Sequence, residues 1–154
     1  MTRFFSLTAL LLLACTPMTL TAGTAKADTT HDLVVRVTAL SPSPGELRVA
    51  LYASEEAWLT EAVVDAQSMP FDGESGTMVF RDVPAGAYAA AVFIDQNGNQ
   101  LLDATLNFIP SEPYGFSNDS AAAFGPARWE EARFVHDGRV QDVKVALWPE
   151  VATQ

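Results

Sequence analysis

Apolar residues recur at every second position in six segments of the chain, the pattern of β-strands that bury one face. In the first segment, Leu33, Val35 and Val37 alternate with Val34, Arg36 and Thr38. The six segments are residues 31–40, 46–52, 77–82, 87–94, 133–136 and 139–148. About six or seven short strands separated by turns predict one all-β domain, an antiparallel β-sandwich.

Turn-forming residues separate these segments and suggest how they pair. Residues 41–45 read Ser-Pro-Ser-Pro-Gly, and we expect the first two strands to form a hairpin around them. Residues 83–86 form a predicted tight turn, in which Gly86 supplies a positive φ. Asp137-Gly138 predicts a second hairpin between the last two strands.

Two further segments depart from the strand pattern. Ser54 can cap a short helix, and the apolar residues that follow it form a stripe with helical spacing. They predict a helix that covers one edge of the core. The stripe consists of Trp58, Leu59, Ala62, Val63 and Ala66. Residues 104–128 show no periodicity but carry several aromatic and aliphatic side chains. Because a disordered linker lacks such anchors, we predict a long ordered loop there.

The first 27 residues have the features of an export signal. Arg3 precedes an apolar stretch over residues 4–14, and Ala25-Lys26-Ala27 matches the small-residue site of signal peptidase. The stretch is shorter than the roughly 20 residues that cross a bilayer, so we expect no integral membrane span. We therefore predict a signal peptide over 1–27, a mature domain over 28–154, and a periplasmic or extracellular location. In the alternative, Cys15 is the lipidated first residue of a lipoprotein.

Charge and cysteine content narrow the function of the mature chain. After residue 27 there are seven Lys and Arg against 19 Asp and Glu, a formal charge of −12. A nucleic-acid partner is excluded, because binding the phosphate backbone needs clustered cations. The sole cysteine, Cys15, lies in the leader, and we expect His31 near a frayed end and His136 in an exposed position. Neither histidine has the spacing of a zinc ligand.

Oxygen-bearing side chains alternate directly after the fourth predicted strand. Asp95, Asn97, Asn99 and Asp103 take relative positions 1, 3, 5 and 9 of a tight loop, and the carbonyl of Leu101 takes position 7. Ca²⁺ binds six to eight such oxygens, and alternate positions on a tight loop point toward a common centre. The residues therefore predict a calcium site.

Two features of this loop leave a second interpretation open. An EF-hand loop has Gly at position 6 and Glu at position 12, where this chain has Gln100 and Leu106. A further carboxylate must then come from the long loop, and Glu112 and Asp119 are the candidates. Alternatively, the Asp, Asn and Gly residues only form a turn, with side chains bonded to local N–H groups.

Several motifs, in this order and spacing, closely resemble an uncharacterised bacterial family, domain of unknown function 2141. They are Asp-Val-Pro-Ala-Gly-Ala-Tyr-Ala at 82–89, Phe-Ile-Asp-Gln-Asn-Gly-Asn at 93–99, Leu-Asp at 102–103, Ile-Pro-Ser-Glu at 109–112 and Tyr-Gly-Phe-Ser-Asn at 114–118. The resemblance covers about residues 32–148. It implies an exported immunoglobulin-like or prealbumin-like (transthyretin-type) sandwich without an assigned activity. Family members usually carry Gly where this chain has Gln100.

Three functions are consistent with these observations. The first is a non-enzymatic binding or accessory module with a calcium-stabilised loop and an unknown ligand or protein partner in the envelope. The second is a small secreted hydrolase that uses carboxylates near Glu112 and Asp119. The third is a carrier for an apolar ligand, held inside the sandwich or under the 104–128 loop.

Overall fold

A computed structural model describes residues 30–106, 109–120, 126–137 and 141–147. In chain order its strands are β1 (Thr30–Ala39), β2 (Gly45–Tyr52), β3 (Asp65–Phe71), β4 (Ser75–Pro84), β5 (Gly86–Asp95), β6 (Tyr114–Phe116), β7 (Phe134–His136) and β8 (Gln141–Leu147). A 3₁₀ helix (Ser117–Asp119) and one short helix, α1 (Trp129–Ala132), complete the described elements. The predicted signal peptide and Cys15 lie outside the described residues.

The strands form two sheets, as the strand pattern predicts. One sheet has the order β4-β1-β8, and the other has the order β3-β2-β5-β6, with β7 also paired to β5. All described pairs are antiparallel except β1 and β8, which run parallel. The fold is therefore a mostly antiparallel β-sandwich. Within the described residues, no helix is long and apolar enough to cross a membrane.

The core lies between the inner faces of the two sheets. Leu33 and Val35 of β1 are fully buried, as are Leu47 and Leu51 of β2. These are the residues that alternate in sequence, so the period-2 pattern identified the inward faces. Burying such side chains is the main stabilising contribution to a sandwich of this kind.

The strand pairings correct both predicted hairpins. β1 pairs with β4 and β8, whereas β2 pairs with β3 and β5, so residues 40–44 connect one sheet to the other. The same holds at the end of the chain, because β7 pairs with β5 while β8 pairs with β1. Each strand has one apolar face, and placing consecutive strands in opposing sheets turns those faces toward each other.

The predicted helix after Ser54 is also wrong. Ser54 Oγ does accept the N–H of Ala57, at 3.3 Å, but only isolated turns follow. Leu59 has a φ of 58°, which interrupts a right-handed helix. Residues 65–71 instead form β3, an edge strand that includes Ala66 of the predicted apolar stripe. Gly86 does not have a positive φ, whereas Asp82 has a φ of 54°.

Part of the predicted 104–128 loop packs on the outer face of the β3-β2-β5-β6 sheet. The buried Ser117 Oγ accepts the N–H of Ala90 at 2.9 Å and donates to the carbonyl of Ala132 at 2.5 Å. It thereby ties the 3₁₀ helix to β5 and α1. Tyr52, Phe116 and Trp129 form a second apolar cluster on this face, against which Trp58 packs.

Candidate functional site

Asp95, the last residue of β5, anchors the loop that follows the strand. Its carboxylate is buried, with 2% of the residue exposed. Oδ1 accepts the N–H of Gly98 at 2.6 Å, and Oδ2 accepts the N–H of Gln100 at 2.8 Å. The guanidinium of Arg48 places its Nε 3.3 Å from Oδ2. One carboxylate therefore fixes two backbone positions of the loop and one neighbouring cation.

These contacts set the protonation of Asp95. Burial raises its pKa, since a charge is less stable away from water, but the N–H groups of Gln100 and Gly98 and the charge of Arg48 act against it. The net result is a pKa below the ordinary value of 3.8. Asp95 is therefore a fixed negative charge at neutral pH, which suits an anchor better than a group that exchanges protons.

Asn97 and Asn99 repeat the same local bonding further along the loop. Asn97 Oδ1 accepts the N–H of Asn99 at 2.9 Å, and Asn99 Oδ1 accepts the N–H of Leu101 at 2.8 Å. Their side-chain amide groups both donate to the carboxylate of Asp103; the distances from Asn99 Nδ2 to Oδ1 and Oδ2 are each 3.1 Å. Asp103 thus closes the loop from the other end.

Glu112 joins the loop from the segment before β6. It is buried, with 4% of the residue exposed. Its Oε1 accepts the N–H of Gln96 at 2.9 Å, and its Oε2 accepts the N–H of Asp103 at 3.1 Å. The sheet register explains its position. β6 and β5 are antiparallel and pair Tyr114 with Phe93, so Glu112, two residues before Tyr114, lies opposite Asp95, two residues after Phe93. Its two oxygens therefore hold both ends of loop 95–103.

The structure brings together most of the residues that the sequence selected. Asp95, Asn97, Asn99, Asp103 and Glu112 share one hydrogen-bonded loop, and Leu101 belongs to it through its N–H. Asp119 lies elsewhere, in the 3₁₀ helix. Ser117, two residues before Asp119, accepts the N–H of Ala90. Ala90 lies five residues before Asp95 in β5, and five residues span roughly 16 Å along a strand. Glu112 and Asp119 therefore do not form one carboxylate pair.

The loop's hydrogen bonds are those of the turn interpretation, in which side chains bond local N–H groups. Among the described residues, no group of three or more His, Cys, Asp or Glu side chains is placed to hold a metal ion. A calcium site of the predicted kind also draws on amide and carbonyl oxygens, so calcium binding at this loop stays a prediction.

A family comparison agrees with the motifs around this loop. A model of DUF2141, described as an uncharacterised protein conserved in bacteria, matches residues 35–144. The chain belongs to the DUF2141 family. The match includes the loop, Glu112 and all described strands except the start of β1 and the end of β8. No curated protein matches the chain significantly.

Two residues of this DUF2141 domain matter more than the sequence suggested. Arg48 faces Asp95 because β2 and β5 pair Glu46 with Asp95. In the sequence, the only signal for Arg48 was its place among the polar positions that alternate with the apolar ones in β2. His136 was expected to be exposed, but it is fully buried beside Tyr88, since β7 lies against β5. Its Nε2 lies 3.2 Å from the carbonyl of Val83. No described group hydrogen-bonds its Nδ1.

Gln100 provides a direct test of the loop conformation. It has a φ of 69°, in the left-handed region where side chains other than Gly are strained. We expect Gln100→Gly to raise the free energy of unfolding by about 0.5–1 kcal/mol, because relief of strain exceeds the added entropy of the unfolded chain. Urea denaturation measures the change.

The matched control for that substitution is Gln96→Gly. Gln96 is also an exposed residue of the loop, but it is not among the described residues with a positive φ. Its replacement should lower stability by about 0.5–1 kcal/mol. Equal losses from both substitutions would show that position 100 is not left-handed in solution.

Proposed function

We propose that this DUF2141 domain is an exported, non-enzymatic binding or accessory domain of the bacterial envelope whose loop 95–103 is stabilised by Ca²⁺. Glu112 is the observation that carries the proposal. Its carboxylate holds both ends of the loop that carries Asp95 and Asp103, and the proposal assigns to it the role of the acidic ligand that the loop sequence lacks at the last EF-hand position. Calcium is more available in the envelope than in the cytosol, which fits the export signal predicted over residues 1–27.

The bonding of the carboxylates supports a structural role over a catalytic one. Both oxygens of Asp95 and both oxygens of Glu112 accept backbone N–H groups. Asp103 differs, because its described partners are the side-chain amides of Asn97 and Asn99. A cation at this end of the loop replaces those amide donors at the Asp103 carboxylate. The likeness to transthyretin-type sandwiches belongs to the same proposal and supplies no ligand.

Calcium should stabilise the folded protein if the loop binds it. We expect about 1 mM CaCl₂ to raise the melting temperature by several degrees relative to EDTA, because a ligand held only by the folded state adds RT ln(1 + [L]/Kd) to its stability. Equal MgCl₂ should have a smaller effect, since Mg²⁺ demands tighter octahedral geometry. Differential scanning calorimetry measures both shifts.

Variants of two aspartates separate loop binding from a general salt effect. Asp103→Asn should abolish the calcium shift, because it removes the carboxylate but keeps a similar shape. Asp65→Asn, at an exposed residue that begins β3, should leave the shift unchanged. Identical melting curves in calcium and EDTA for the unaltered protein would contradict calcium binding and leave the loop held by its own hydrogen bonds.

A further inference from the structure

The outer face of the β3-β2-β5-β6 sheet carries two neighbouring cross-strand rows. The first row pairs Ala50 with Ala91, and the second pairs Arg48 with Phe93 and then Phe93 with Tyr114. Residues directly opposite in an antiparallel sheet share a face, so these side chains are neighbours. With Trp58, which lies over the same sheet, they define the alanine–aromatic face: Arg48, Ala50, Trp58, Ala91, Phe93 and Tyr114.

The alanine–aromatic face is partly open to solvent. All six residues keep intermediate exposure. Its two alanines form a floor that packs against the second apolar cluster, and aromatic rings lie beside them. Phe116 lies between Trp58 and Tyr114, with ring centroids 5.7 and 5.8 Å away. The indole N–H of Trp58 donates to the carbonyl of Ala127 at 2.8 Å, which fixes that ring. The aromatic surface is therefore held in place before any ligand arrives.

Charged groups border the rings, but they are paired with one another. Arg48 Nη2 lies 3.0 Å from Glu46 Oε2, and Glu46 Oε1 accepts the hydroxyl of Ser68 at 2.6 Å. Arg48 Nε faces Asp95 without a described hydrogen bond, and 23% of the Arg48 side chain is exposed. The border thus offers donors and acceptors without an excess of positive charge.

We propose that the alanine–aromatic face binds a neutral oligosaccharide. Sugar rings present C–H faces that pack on aromatic rings and hydroxyls that hydrogen-bond to groups such as Arg48, Glu46 and the Tyr114 hydroxyl. The inference rests on the proposed binding function and specifies its ligand class. It does not require calcium, because none of the six residues of this face is a proposed calcium ligand, although Asp95 of the loop contacts Arg48.

The charges favour this occupant over three others. An anionic ligand has to compete with Glu46 and Asp95 for the guanidinium of Arg48. A wholly apolar ligand takes the Arg48–Glu46 pair out of water without replacing its hydrogen bonds, which is unfavourable. A second copy of the domain brings the same formal charge, −12 over residues 28–154, and is repelled.

Titration with three soluble neutral sugars tests the proposal. Maltohexaose, cellohexaose and xylohexaose are each added to ¹⁵N-labelled protein in EDTA, up to about 10 mM, while amide chemical shifts are recorded. We expect at least one sugar to shift amide signals of β2, β5 and β6 on this face, and to leave those of β1 and β4 unchanged. Shifts by none of the three, or shifts spread over both sheets, would overturn the proposal.

Paired variants identify the ring and the floor. Tyr114→Ala should weaken binding about tenfold or more, whereas Tyr114→Phe keeps the ring and should stay within a few-fold of the unaltered protein. Ala50→Leu fills the floor and should also weaken binding. Its control, Thr38→Leu, changes an exposed residue of β1 in the other sheet and should not. Circular dichroism verifies folding, and Ala50→Leu with Tyr114→Phe keeps the test decisive if Tyr114→Ala unfolds.

Two other results would also overturn the proposal. Equal affinity of Ala50→Leu and the unaltered protein would place the sugar elsewhere. A dimer in sedimentation equilibrium that Ala50→Leu abolishes would show that a second copy covers the face. Because the titrations are run in EDTA, a failure of sugar binding leaves the calcium melting result standing, and a failure of calcium binding leaves the sugar result standing.

Discussion

Asp95→Ala should lower the melting temperature by roughly 10 °C or more, the largest effect expected from a single polar substitution in this domain. The change leaves the N–H groups of Gly98 and Gln100 without their acceptor and removes the partner of the Arg48 guanidinium. Losing one partner of a buried contact costs more than the contact contributed, because the other partner stays desolvated. Thermal unfolding followed by circular dichroism measures the change.

A matched substitution and a pH series accompany that prediction. Asp65→Ala, at an exposed position of β3, should move the melting temperature by no more than about 2 °C. Because the folded-state pKa of Asp95 lies below its ordinary value of 3.8, its contribution is complete above that value and is lost as the pH falls toward the lowered pKa. Asp95→Asn should therefore flatten the stability curve below about pH 4.

Either of two outcomes would contradict this role for Asp95. Similar melting temperatures for the Asp95→Ala and Asp65→Ala variants would mean that the loop does not depend on its buried carboxylate. An acid unfolding curve unchanged by Asp95→Asn would assign the pH dependence to other acids. Glu46 and Glu131 also have lowered pKa values, through Ser68 and Arg128 respectively, but both are surface groups whose pairs are screened by solvent.

The strand positions could be predicted from sequence because burial acts on single residues. Leu33, Val35 and Leu47 point inward whichever strands they pair with, so alternation alone reveals them. Strand pairing depends instead on residues far apart in sequence. Nothing local to residues 40–44 shows that the chain crosses from one sheet to the other, and the expected hairpins were wrong for that reason.

β3 shows a different limit of sequence interpretation. Met69 and Phe71 turn toward the core, but Pro70 and the preceding apolar stripe concealed their alternation. Pro is compatible with this strand because an edge position leaves one side without a partner strand. His136 shows a third limit: it is buried because β7 pairs with β5 and brings it beside Tyr88, a residue far away in sequence.

The candidate site was more predictable than the topology because its residues lie close in sequence. Asp95, Asn97, Asn99 and Asp103 belong to one loop, and alternate polar residues on a tight loop bond to N–H groups two or three positions ahead. Glu112 and Asp119 could not be distinguished in this way. The register of β6 with β5 decides between them, and only Glu112 falls opposite Asp95.

Glu112→Gln should lower the free energy of unfolding by about 1–3 kcal/mol, since the amide presents N–H₂ to one of the two backbone N–H groups that the carboxylate accepts. The matched control is Glu74→Gln, at an exposed residue in the turn before β4, which should change stability by less than about 0.5 kcal/mol. Urea denaturation gives both values. Equal effects of the two substitutions would remove Glu112 from the support of the loop.

Combining Glu112→Gln with Asp95→Asn shows whether the loop behaves as one unit. Asp95 holds the N–H groups of Gly98 and Gln100, while Glu112 holds those of Gln96 and Asp103. Once either carboxylate is lost the loop can reach water, so the second loss should cost about 1 kcal/mol less in the double variant than alone. Losses that add to within about 0.3 kcal/mol would mean that the two carboxylates support separate structures. A coupled result makes loop 95–103 a single rigid element, the condition under which Asp95 also keeps Arg48 in position on the alanine–aromatic face.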